Sequence, residues 1–281
     1  MSASKVWFIT GTSRGFGRVW AEAALERGDR VAATARNTDT LTELAERHGD
    51  NVLPLALDVT DKAAVDAAVA QAHDQFGALD VVVNNAGYGH FGTIEEATEE
   101  EARAQIETNV FGALWVTKAV LPIMREQGSG HIIQVSSIGG VNAFPTLGLY
   151  HASKWALEGF SQSLAAEVAG FGIHVTIVEP GGFATDWAGP SAVHSAPLAA
   201  YDDLREARAR QRRSFEPGDP QATGAAILKV VDADEPPLRI FFGKAGLEMT
   251  RAEYGRRIAT WEAWDSVSQE AHGAGVAPRE T

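Results

Sequence analysis

Tyr150 and Lys154 stand four residues apart in Tyr150-His151-Ala152-Ser153-Lys154, a phenol and an ammonium able to form one acid/base unit. On a helix, positions i and i+4 share a face, so both side chains reach one target. A tyrosine with its unperturbed pKa of about 10 is a poor proton carrier at neutral pH. A neighbouring cation favours the phenolate and is expected to pull that value toward the working range. Taken alone, such a pair is equally a solvated couple on an ordinary helix, so its meaning depends on what surrounds it.

A second chemical feature lies at the N-terminus. Lys5-Val6-Trp7-Phe8-Ile9-Thr10 reads as a buried strand running into Gly11-Thr12-Ser13-Arg14-Gly15-Phe16-Gly17 and then a helical stretch from Val19 to Arg27. Strand, glycine-rich turn and helix, in that order, bring backbone N–H groups and a helix N-terminus up to a phosphate. Glycine suits such a turn because a Cβ would block the close approach. The spacing is Gly-x-x-x-Gly-x-Gly, distinct from the Gly-x-Gly-x-x-Gly dinucleotide fingerprint.

The elements that must position these features alternate along the chain. Strands are expected at Val6–Thr10, Arg30–Ala35, Val52–Leu57, Val81–Asn84, His131–Ser136, His174–Glu179 and Leu238–Phe242. Helical segments fall near 15–27, 38–48, 61–76, 98–127, 150–170 and 219–233. Alternation with buried, β-branched strands implies an α/β fold: one doubly wound Rossmann-type domain with a parallel sheet of about seven strands, over residues 1–243. Ligands in such folds sit outside the carboxyl ends of the strands, where the motifs fall. Residues 244–281 are read as a helical extension.

Composition narrows the class. The chain has 281 residues, 45% of them hydrophobic, enough for one large domain with a core. It contains no cysteine, which removes disulfides, thiol chemistry and a Cys-based zinc site, and no metal is expected. No apolar run approaches the ~20 residues of a membrane span and no signal-peptide pattern opens the chain, so a cytoplasmic protein without membrane partners is expected. The formal net charge of −13 argues against a nucleic-acid surface.

Thr10-Gly-x-x-x-Gly-x-Gly17, Asn84-Asn85-Ala86-Gly87 and Tyr150-x-x-x-Lys154, in that order and at those distances, resemble the short-chain dehydrogenase/reductase family over about residues 5–243. Related epimerases and dehydratases share the Tyr/Lys pair but usually carry a differently spaced glycine turn and a longer C-terminal half. The resemblance implies a catalytic tetrad of Asn109, Ser137, Tyr150 and Lys154. Tyr150 would exchange the proton and Ser137 would polarise the substrate oxygen. Lys154 would hold the nicotinamide ribose and favour the phenolate, and Asn109 would pass the proton onward through water. Ser136 is adjacent to Ser137, and without the family spacing the two are not distinguished. The resemblance further implies nicotinamide-cofactor contacts at Gly11, Ser13, Arg14, Gly15, Phe16, Gly17, Arg36, Asp58, Val59, Asn85, Ala86, Gly87, Tyr150, Lys154, Pro180, Gly181, Phe183 and Thr185. Asp58 would meet the adenine, or would instead cap the following helix.

Cofactor choice is read from charge. An acidic residue ending the second strand would hold the ribose hydroxyls of NAD, but Ala35 stands there, followed by Arg36, and Arg14 precedes the second glycine of the turn. Two guanidiniums suit a 2′-phosphate, so NADP(H) is favoured over NAD(H), unless the arginines merely face water. The expected reaction interconverts a ketone or aldehyde and its alcohol. The alternatives are a cofactor-sensing regulatory protein without turnover, which a broken tetrad would favour, and an isomerase-type relative.

His90, Phe91, Phe144, Leu147, Leu149 and Trp187 are expected near the pocket mouth, suggesting an apolar or aromatic substrate of moderate size; each is equally able to pack the core. His90 reads as a loop residue. About residues 187–215 should form a mobile helical lid, whose Arg205, Arg208, Arg210, Arg212 and Arg213 are either a solvated face pairing with Glu206 and nearby acids or a grip on an anion. In the extension, Tyr254, Ile258, Trp261 and Trp264 at helical spacing read as a helix docking on the body or on a partner, or shaping the pocket. From His272 onward the chain reads as disordered. A homodimer or homotetramer is expected by resemblance, paired through the helices at 98–127 and 150–170.

Overall fold

The inner strands of the main sheet are largely apolar runs buried on both faces, and the two edge strands are only half-buried, which fits a sheet covered by helices on each side. The computed structural model describes residues 4–189, 191–213 and 216–273. In chain order its strands are β1 (Val6–Ile9), β2 (Arg30–Ala35), β3 (Val52–Ala56), β4 (Val81–Asn84), β5 (His90–Phe91), β6 (Gly130–Val135), β7 (Ile173–Pro180), β8 (Val193–His194) and β9 (Arg239–Phe242). The α-helices are α1 (Gly15–Glu26), α2 (Thr42–His48), α3 (Lys62–Phe76), α4 (Glu99–Ile106), α5 (Ala113–Gln127), α6 (Gly148–Val168), α7 (Asp202–Arg213), α8 (Ala222–Val231), α9 (Gly246–Ala263) and α10 (Asp265–His272).

Seven strands form one sheet in the order β3-β2-β1-β4-β6-β7-β9, and all six pairings are parallel. The order reverses direction between β1 and β4, and a crevice opens at such a switch point beyond the carboxyl ends of the strands. Side-chain alternation in β1 sorts the core. Trp7 and Ile9 join the cluster beneath α1 and α8, while Val6 and Phe8 join the one beneath α3, α5 and α6. The buried Trp20 also donates its Nε1–H to Thr223 Oγ1 at 2.8 Å, tying α1 to α8. Burying a large side chain of this kind stabilises by about 1.5–3 kcal/mol.

The fold departs from expectation in three places. The helix expected over 98–127 is interrupted. Thr98 caps α4 in a reciprocal box with Glu101, but Glu107–Gly112 widens into a π-helical turn before α5 begins. Such bulges often mark functional positions, and Asn109 lies in this one. Second, β5 and β8 pair in parallel as a separate two-stranded sheet, each too short to leave a periodic signal. Third, the lid region is only partly helical: a 3-10 turn at Asp186–Ala188, then β8, then α7. The segment expected to be disordered begins inside α10, since His272 closes that helix; residues 274–281 lie outside the described residues.

Candidate functional site

The glycine turn closes over the end of β4. Gly11 has φ +70° and a Cβ there would press on Ala86 Cα at 3.1 Å, while a Cβ on Gly17 would collide with the Gly11 carbonyl. Thr10 locks the two segments together. Its Oγ1 accepts from the N–H groups of Asn85 and Ala86, both at 2.9 Å, and Asn85 Nδ2 donates to the carbonyls of Thr10 and Gly11. Thr10→Val keeps the shape but strips the Ala86 N–H of its acceptor and leaves the Asn85 N–H with Val83 O alone, so about 1–2 kcal/mol of stability should be lost in urea melts.

The N-terminus of α1 faces this turn. Arg14 stands at its N-cap in extended conformation without a side-chain cap, and a Cβ on Gly15, φ +62°, would meet nothing within 4 Å. An uncapped helix start beside open space fits an anionic phosphate group. Arg14 and Arg36, after β2, are both exposed, and among the described residues neither side chain has an ion pair or hydrogen bond. Ser13 is exposed as well.

Asp58 is not the helix cap: Asp61 caps α3, accepting from Ala63 and Ala64. Asp58 instead holds a local turn, with Oδ1 accepting from the backbone and hydroxyl of Thr60 at 3.0 and 2.8 Å. The Val59 side chain is buried in the core. Phe16 and Phe183 meet edge to face at 5.1 Å beside the turn, and Phe16 stacks on Trp20 at 5.6 Å. Both predicted contacts therefore have rings committed to packing. Pro180 ends β7, Gly181 N donates to Phe242 O, and Thr185 N donates to Phe183 O, which carries the segment back across the strand ends.

Tyr150 and Lys154 sit in the first turns of α6, 6% exposed each, with the ammonium 5.8 Å from the phenol ring centre. Lys154 Nζ donates to Val135 O at 2.7 Å, at the end of β6. The expected downward pull on the tyrosine is overturned. Burial pushes Tyr150 up to about 12, with a hydrogen bond to Ser137 opposing. Burial likewise lowers Lys154 to about 8, with Glu158 opposing. Lost hydration of each charged form outweighs the hydrogen bond or charge that opposes it.

Ser137 and Ser136 separate by role. Ser137 Oγ accepts from Gly139 N–H at 3.0 Å, which leaves its own hydrogen to donate, and it reaches the Tyr150 hydroxyl. Ser136 is buried and turns toward Glu158. Both amide hydrogens of Asn109 are engaged: Nδ2 donates to Tyr88 O and Ser153 Oγ, both at 3.0 Å, and Oδ1 accepts from Tyr88 N at 3.1 Å. Its amide thus ties the loop after β4 to α6. Gly87 runs beside it; a Cβ there would lie 3.0 Å from Asn109 Oδ1 and 3.8 Å from Lys154 Nζ.

The pocket residues divide. Trp187 packs on Tyr150 at 4.9 Å and on Phe91 at 5.2 Å, and Phe91 stacks on His194 at 5.0 Å, an aromatic wall beside the phenol. Phe144 packs on His151, which accepts from Phe144 N and bonds Gly139 O, and the Arg208 guanidinium lies 5.5 Å from the Phe144 ring. Leu147 is buried and bridges to Gly92, and Leu149 is partly buried. His90 is neither in a loop nor at the mouth. It is 1% exposed on β5, its Nε2 3.0 Å from Ser195 Oγ and 3.4 Å from Glu101 Oε2. Arg210 pairs with Glu206 on a solvated face, whereas Arg205, paired with Asp202 and with the buried side chain of Glu96, ties α7 to the segment before α4. The side chains of Arg212 and Arg213 lie outside the described residues.

A buried acidic group behind the lysine went unread in the sequence. Glu158 and Glu179 share Arg239, whose Nε lies 3.1 and 3.4 Å from their carboxylates. Burial, reinforced by Glu158, raises Glu179 to about 8. Glu158, one turn after Lys154, was the signal available: an acid on the same face of the same helix.

The family model described as short chain dehydrogenase matches residues 5–194. An oxidoreductase of Botryotinia fuckeliana, BOA17, is 45% identical over 269 residues, covering 94% of this chain and 98% of that protein. A 3-ketodihydrosphingosine reductase of Bacteroides thetaiotaomicron is 40% identical over 244 residues, 85% of this chain and 88% of its own length. A short-chain dehydrogenase of Streptomyces avermitilis superposes with a TM-score of 0.90 at 41% identity, over 96% of this chain and all of the other. More distant Burkholderia structures hold different cofactors. One from B. cenocepacia, 26% identical with a TM-score of 0.73, over 92% of this chain and 97% of its own, is in complex with NADP. One from B. phymatum, 25% identical with a TM-score of 0.80, over 92% and 95%, is in complex with NAD.

Proposed function

The chain belongs to the short-chain dehydrogenase/reductase family of oxidoreductases, and from that premise we propose that it interconverts a ketone or aldehyde and its alcohol with NADP(H), using Tyr150 as the acid/base. The observation that carries this reading is the buried Tyr150 hydroxyl converging with that of Ser137 in front of Lys154, at the strand ends beside the uncapped helix. When bound, the nicotinamide supplies or accepts the hydride.

The chain's own residues supply the rest. At neutral pH Tyr150 is protonated and Lys154 largely charged, which are the states a carbonyl reduction needs. Ser137 donates to the substrate oxygen and holds it at the phenol, and the lysine stabilises the phenolate left after proton transfer. Asn109 acts by position, holding the loop after β4 against α6, and any onward relay runs through backbone and water rather than its amide. Trp187 and Phe91 exclude water on one side, which favours an apolar or aromatic substrate of moderate size. The 3-ketodihydrosphingosine reductase among the relatives reduces, by its name, a ketone on an apolar chain, in keeping with that class. Arg14 and Arg36, with no acid ending β2, support the preference for the 2′-phosphate.

The experiment is NADPH and NADH oxidation at 340 nm with ketones and aldehydes from small aliphatic to long-chain and aryl. NADPH-dependent turnover is expected on the apolar members; NADPH binding without turnover anywhere would favour a regulatory role. The pH dependence follows from the same groups. Oxidation of the alcohol begins from phenolate, whose fraction rises tenfold per pH unit below its pKa, so it should climb from about pH 6 and flatten above about 8 as Lys154 loses its charge. Reduction begins from the protonated phenol and should stay within about twofold over that range. The reaction itself releases a proton, so the ratio of the two rates changes about tenfold per pH unit whatever the carrier; an oxidation rate flat between about pH 6 and 8, with reduction falling instead, would remove the high-pKa phenol of Tyr150 from the proton step.

A further inference from the structure

Three consecutive residues at the end of β6 each engage one member of a column on α6. Val135 O accepts from Lys154 Nζ at 2.7 Å, Ser136 turns toward Glu158, and Ser137 reaches Tyr150. Tyr150, Lys154 and Glu158 follow one another at four-residue steps, so the three stand in one stripe of the helix. The first two are the proton carrier and its cation; the third is a buried acid one turn behind them.

Arg239 of β9 meets Glu158 from the other side. Its Nε donates to Glu158 Oε2 at 3.1 Å and lies 3.4 Å from the Glu179 carboxylate of β7, while its Nη2 donates to Gln162 Oε1 at 3.1 Å. Gly140, in the turn after β6, leaves room for the acid: a Cβ there would collide with Ser136 Oγ and stand 2.8 Å from Glu158 Oε1. The charged and titratable groups facing Glu158 are therefore Lys154 on its own helix, Glu179 on β7 and Arg239 on β9, and the end of β6 and its turn present only serine and glycine.

Two buried carboxylates on one guanidinium are one cation short. Both oxygens of Glu179 and Oε1 of Glu158 lack a hydrogen-bond partner among the described residues, so the lower-energy state keeps one proton on the pair. Burial raises the proton affinity of both acids. Glu179 is the one that retains the proton, because only Glu158 accepts the Arg239 hydrogen bond that favours its anion, and that anion repels a second charge. One negative charge then remains behind the lysine. Lys154 makes no ion pair among the described residues, and Glu158 is the charge that opposes the loss of its hydration.

We propose that Glu158 is a positioning residue of the reaction: sharing one proton with Glu179 over Arg239, it keeps a single negative charge behind Lys154, and that charge holds the ammonium in the cationic form the phenolate needs. The inference rests on Tyr150 being the acid/base.

NMR of the chain labelled with ¹⁵N-lysine, followed across pH, reads the ammonium without turnover, Lys154 being the signal lost in Lys154→Arg. In the wild type it should titrate at about 8. Glu158→Gln keeps the shape and removes the charge, so the midpoint should fall by about one pH unit or more. Glu158→Asp keeps the charge and should bring it back to within about half a unit of wild type. Glu179→Gln reproduces the protonated acid and should move it by no more than about half a unit. Alcohol oxidation should follow: the pH at which it flattens moves down in Glu158→Gln and returns in Glu158→Asp, whereas a purely structural role would lower the rate and leave that pH in place.

The shared proton has its own readout. Folded Glu179 keeps its proton up to about 8, above the ordinary carboxylate value at which the unfolded chain releases it. The folded state binds more protons between those two values, so stability falls as pH rises through that window. Glu179→Gln has no such proton to lose, and its urea midpoint should gain on that of the wild type from about pH 5 to about pH 8. A Lys154 midpoint unmoved in Glu158→Gln, or a urea difference that stays flat with pH, overturns the proposal. Both shifts present without carbonyl turnover would support the charge pair and count against Tyr150 as the acid/base.

Discussion

Tyr150→Phe should lower turnover in both directions by about 10²–10⁴-fold, the usual contribution of a positioned proton carrier. The ring is retained, so its packing on Trp187 at 4.9 Å survives, as does the cation of Lys154 behind it. Only the oxygen that meets Ser137 is removed. Cofactor affinity, measured by nucleotide fluorescence titration, should change by less than about threefold, because no phosphate or helix-terminal contact involves the phenol. A variant with wild-type rates would take Tyr150 out of the mechanism. One that lost cofactor binding and turnover together would make the phenol a binding group instead.

Arg36→Ala should weaken NADPH by about 10–100-fold while changing NADH by no more than about twofold. A charge-assisted hydrogen bond to a phosphate contributes about 1.5–3 kcal/mol, and the 2′-phosphate is the one feature that distinguishes the two nucleotides. The exposed guanidinium is uncommitted among the described residues, so its removal disturbs no internal pair. Arg14→Ala should act in the same direction, and the double variant should bring the two dissociation constants together. Equal losses for both nucleotides would show that the arginines hold something common to both, such as the pyrophosphate. A Ala35→Asp substitution at the end of β2 should act from the other side, repelling the phosphate.

The legible part of this chain is what short-range patterning carries. All seven sheet strands begin within one residue of where apolar, β-branched runs place them, because a strand buried on both faces must be largely apolar. The motif residues lie at strand ends because glycine and turn-forming side chains are demanded there locally. The Tyr150–Lys154 spacing reads correctly as a shared helix face.

What remained hidden depends on partners distant in the chain. His90 is a loop residue by its neighbours, and only its pairing with Ser195, over a hundred residues on, makes it a buried member of a strand. The π-turn around Asn109 leaves no mark in a helical pattern, since one widened turn shifts the periodicity by a single residue. The proton affinities are the clearest case. The sequence by itself determined which ionisable groups are present, and that Lys154 stands one turn from Tyr150. Only the tertiary structure decided that both are dehydrated, so that burial drives the phenol up and the ammonium down. Hydration depends on what covers a group from every side, and that cover comes from β6, the turn after it and Trp187, none of them adjacent in the chain.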